Sequence, residues 1–99
     1  MTLTAKLRHA ASVIDRLGVD PLWVDCSATR PSTWVYLPAD ALRRLIVDHD
    51  LITALSAKIL GLNAHAEVIL DGIKFAAVVP IAGTVDDPIA LLEGALCTA

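Results

Sequence analysis

The chain has 99 residues, 56% of them hydrophobic and 19% charged, with a formal net charge of −3. That length supports one modest core, roughly 60–70% of the unfolded surface being buried on folding, and the low charge with high apolar content excludes a disordered chain. The eight basic residues are scattered, with only Arg43 and Arg44 adjacent, so no basic stripe argues for a nucleic-acid partner.

No apolar run reaches the ~18–20 residues of a membrane span, because charge or glycine interrupts each one. The segment from Met1 to Arg8 reads as an amphipathic start, not as a charged region followed by an apolar one. The expectation is a single α+β domain over residues 1–99 in the cytoplasm, where Cys26 and Cys97 would both be reduced thiols.

Residues 4–17 predict a first helix. Leu7, Ala10, Ala11, Ile14 and Leu17 fall at helical spacing, Thr4 can cap the start, and Gly18 suits a left-handed stop. After Pro21, "LWVDCSA" alternates, with Leu22, Val24 and Cys26 on one face and Trp23, Asp25 and Ser27 on the other. "TRPS" is a turn cluster, and "TWVYL" begins a second strand. Leu22, Val24, Cys26, Val35 and Leu37 are expected to face the helices. Trp23, Trp34 and Tyr36 then lie on the opposite side of the sheet.

Residues 38–63 are expected to be helical but not one straight helix. Leu42, Leu45 and Ile46 make one stripe. Leu51, Ile52, Leu55, Ile59 and Leu62 make another, out of phase with the first by roughly a quarter to a third of a turn. The phase changes across Asp48-His49-Asp50. Either two helices break at that polar triplet, or one helix has halves facing different partners; the break is favoured.

Residues 67–81 predict a hairpin turning at Asp71-Gly72, the preferred pair for a two-residue type I′ turn. That turn sets Leu70 against Ile73, Ile69 against Lys74, Val68 against Phe75 and Glu67 against Ala76. One face carries Leu70, Val68, Ile73, Phe75 and Ala77. The other carries Ile69, Ala76 and Val78, with Glu67 and Lys74 flanking. Residues 85–99 predict a short terminal helix or arm, with Pro88 at its first helical position. The order is α-β-β-α-(α)-β-β-α: a four-stranded, mostly antiparallel sheet with helices mainly on one face.

Asp48, His49 and Asp50 are the most site-like cluster, since carboxylates and imidazole ligate metals. Consecutive helical residues point ~100° apart, however, so a solvated helix junction is the better reading. His9 and His65 have no ligand spacing with each other or with either cysteine. Cys26 reads as a small hydrophobe and Cys97 as an unactivated thiol. Arg30 among Ser27, Thr29, Ser32 and Thr33 could meet an anion, but that composition also makes an ordinary loop.

The remaining constellation is Trp23, Trp34, Tyr36, Ile69, Ala76 and Val78 on one sheet face. Apolar area of that extent marks a contact surface, and Trp and Tyr are what interfaces favour. Either the terminal helix over residues 88–96 folds across this face or a second chain covers it; the second chain is favoured, and the expectation is an interaction module that self-associates as a dimer through this face, with another protein as the second choice of partner. The alternative is a domain binding an apolar small molecule. An enzyme using His49 or Cys97 ranks last. No catalytic residue, cofactor or metal is assigned.

Overall fold

The computed structural model describes residues 2–60 and 63–80. It holds helix α1 (Leu3–Leu17), strands β1 (Trp23–Asp25) and β2 (Thr33–Tyr36), helix α2 (Ala39–Asp48), a 3-10 turn (Ile52–Ala54), and strands β3 (Ser56–Leu60), β4 (Asn63–Leu70) and β5 (Ile73–Pro80). The strands form one mixed sheet in the order β1-β2-β5-β4-β3. Three pairings are antiparallel, and β2 runs parallel to β5. The fold is α+β as expected, but the sheet has five strands rather than four.

The terminal hairpin forms in the expected register, Leu70 opposite Ile73 and Glu67 opposite Ala76. Asp71 and Gly72 both have positive φ, 53° and 75°, as a type I′ turn requires. Strand β4 extends back to Asn63, further than its apolar run suggested. Val68, Ile73, Phe75 and Ala77 enter the core, where they meet Val35, Leu42, Leu45 and Ile46. Both helices therefore lie on one face of the sheet. The expected terminal helix, with Cys97, falls outside the described residues.

The largest correction concerns residues 51–60. The helix breaks where expected, but strand β3 follows it, not a second helix. Asp50 adopts the left-handed conformation at φ 52°. The Asp50 N–H donates to the Val47 carbonyl, and the Leu51 N–H donates to that of Ile46. These two bonds make a Schellman stop, which Asp tolerates better than most residues. Leu51 folds back on the core. Ser56–Leu60 then satisfies its backbone by antiparallel pairing with Asn63–Glu67. Ala and Lys are weak strand formers, so tertiary pairing overrides local propensity here.

Helix α1 is turned from its expected orientation. Ala10 and Val13 are buried and Ile14 and Leu17 pack beside them, whereas Leu7 and Ala11 are exposed. Polar contacts on the side of Lys6 and His9 accompany this orientation. Lys6 Nζ donates to the carbonyls of Ser27 (3.0 Å) and Arg30 (2.6 Å), and His9 Nε2 donates to the Asp71 carbonyl at 2.8 Å. Arg16 pairs with the Asp71 carboxylate. Three residues on one side of α1 thus reach the 26–32 loop and the hairpin tip. The cap is Thr2 and not Thr4, its hydroxyl accepting from the Ala5 N–H at 3.1 Å. Gly18 stops the helix at φ 66°.

In β1 the facing is as expected but the burial is not. Val24 pairs with Val35, yet Leu22 and Val24 remain exposed because β1 is a three-residue edge strand. Cys26 is half-buried, with Sγ 3.6 Å from the Thr33 hydroxyl.

Candidate functional site: the helix-free face of the sheet

Side chains alternate across a sheet, so the register fixes which residues share the face opposite the helices. One row runs Trp23, Tyr36, Ala76, Glu67 and Ser56 across β1, β2, β5, β4 and β3. The next row, toward the hairpin tip, is Asp25, Trp34, Lys74 and Ile69. On the other side lies a row of Val78, His65 and Lys58. All six residues expected on this face are there: Trp23, Trp34, Tyr36, Ile69, Ala76 and Val78. Among the described residues, no helix or strand packs over them.

The relief of the face follows from side-chain size. Trp23 stacks on Tyr36 with ring centroids 4.3 Å apart and planes 25° from parallel, and Trp34 lies 6.1 Å from the same ring. Lys74 Nζ sits 4.7 Å from the Trp34 ring centroid, a cation–π contact. Strands β1 and β2 therefore carry an aromatic ridge. Beside it Ala76, only 5% exposed, is the floor of an open trough of about 200 Å³. Trp34 and Tyr36 line one side, Ser56 and Lys58 the other, and His65 and Glu67 lie between.

The face is therefore not uniformly apolar. Half of it, over β3 and β4, carries Ser56, Lys58, His65 and Glu67. Sequence reasoning placed Glu67 here but missed the other three, because residues 56–60 had helical spacing and the strand was begun too late. The available signal was alternation: Ser56-Ala57-Lys58 and Asn63-Ala64-His65-Ala66-Glu67 both set small residues against polar ones. Lys58 and Lys74 balance Asp25 and Glu67. Among the described residues, Lys58 and Glu67 form no ion pair with each other, whereas Asp25 is held by Arg30 at 2.6 Å.

The other candidates do not assemble. Asp48, His49 and Asp50 are exposed at the end of α2. Asp48 and His49 border a shallow hollow of about 320 Å³ beside Asp40 and Arg44. Among the described residues, no group of three His, Cys, Asp or Glu side chains could hold a metal ion. His9 serves as a tether between α1 and the hairpin tip. Arg30 is occupied by Asp25, and the loop around it is closed by Lys6. Among the described residues, no helix is long and apolar enough to cross a membrane.

Comparison of the chain with protein-family models, with curated proteins and with solved structures gives no match.

Proposed function

We propose that this protein is a small interaction module that self-associates through the helix-free face of its sheet. The observation that carries this reading is the aromatic ridge of Trp23, Tyr36 and Trp34 beside exposed Ile69 and Val78, on a face that no other described element covers. Trp23 is 55% exposed and Ile69 58% exposed, a large apolar area for a monomer to leave in water. Two positive and two negative side chains on the same face let two copies approach without net repulsion. Most soluble oligomers are assembled from copies of one chain.

Size sets the strength expected. Strands of three to eight residues, at ~3.3 Å per residue and ~4.8 Å apart, give about 450 Å² of projected face. Two copies would cover about 900 Å² of projected face, a small contact for a protein–protein interface. The dimer is accordingly reversible and concentration-dependent. Sedimentation equilibrium from micromolar to near-millimolar concentration tests it. A mass rising from one chain toward two supports the reading, and a single-chain mass throughout overturns it.

A small-molecule site is the second reading, favoured by the trough beside the ridge. Its ~200 Å³ falls below the ~300–1,000 Å³ of pockets that enclose a drug-sized ligand, and it is open. A thermal-shift screen tests it directly.

A further inference from the structure

We draw no further inference here: the strongest candidate, the surface patch that the aromatic ridge and the trough beside it form on the helix-free face of the sheet, carries nothing beyond the reading above, because nothing among the described residues shows what covers it.

Discussion

Trp23 lies nearly flat on Tyr36, directly opposite it in the β1–β2 register, with ring centroids 4.3 Å apart. Strand β1 has only three residues and is exposed at the sheet edge, so this stack is a principal hold on it. Tyr36→Ala removes the stack and its neighbour Trp34 contact together. A loss of about 1–2 kcal/mol is expected in urea unfolding, aromatic pairs contributing ~0.5–1.5 kcal/mol beyond their burial. A red-shift of tryptophan emission should accompany it as Trp23 swings into water.

Trp34→Asp puts a carboxylate on the ridge while leaving the helix-packed core untouched. The expected result is a dimer weakened at least ten-fold with an unchanged far-ultraviolet spectrum. Hot-spot aromatics at interface centres behave this way. A variant that remains as dimeric as the parent would show that another surface is used.

The two faces of one hairpin should respond oppositely. Phe75 is completely buried and Ile69 is mostly exposed. Phe75→Ala should cost about 3–5 kcal/mol of monomer stability, the usual range for such a cavity. Ile69→Ala should change it by less than ~0.5 kcal/mol. Chemical denaturation at concentrations low enough to keep the chain monomeric separates them.

Gly72→Ala meets no atom within 4 Å of the added Cβ, so no clash is involved. Its φ of 75° is what an L side chain resists, and the expected loss is about 1–2 kcal/mol. Thermal melts should show the drop without broadening the transition.

Lys6→Met should loosen the 26–32 loop more than it destabilises the whole protein. The ammonium donates to two loop carbonyls, and the substitution leaves both without that donor. Hydrogen exchange should accelerate across residues 27–32 while the amides of β4 and β5 keep their protection.

Much of this was legible from local patterns. The Asp71-Gly72 turn fixed a register residue by residue, and with it the facing of Phe75 and Ile69. The helix stop at Asp48-His49-Asp50 was readable because those residues cap and turn. Strand β3 was hidden, since Leu51, Leu55 and Ile59 share a helical spacing and pairing with β4 decides the outcome. The rotation of α1 was hidden for a different reason. Lys6, His9 and Arg16 find partners far away in sequence, and no periodicity announces such tethers. The charged half of the candidate site was lost with β3.

The parallel ladder between β2 and β5 also bears on how the chain reaches this state. Strands β3, β4 and β5 pair with their sequence neighbours, so that meander can close early. Strand β2 must find β5 across some forty intervening residues, Val35 meeting Phe75. Strand β2 thus carries the largest loop closure in the sheet. Until it docks, β5 presents an unsatisfied edge that invites pairing with other chains. The inner edge of β5 is therefore the part of this sheet that an incompletely folded chain leaves open to pairing with other chains.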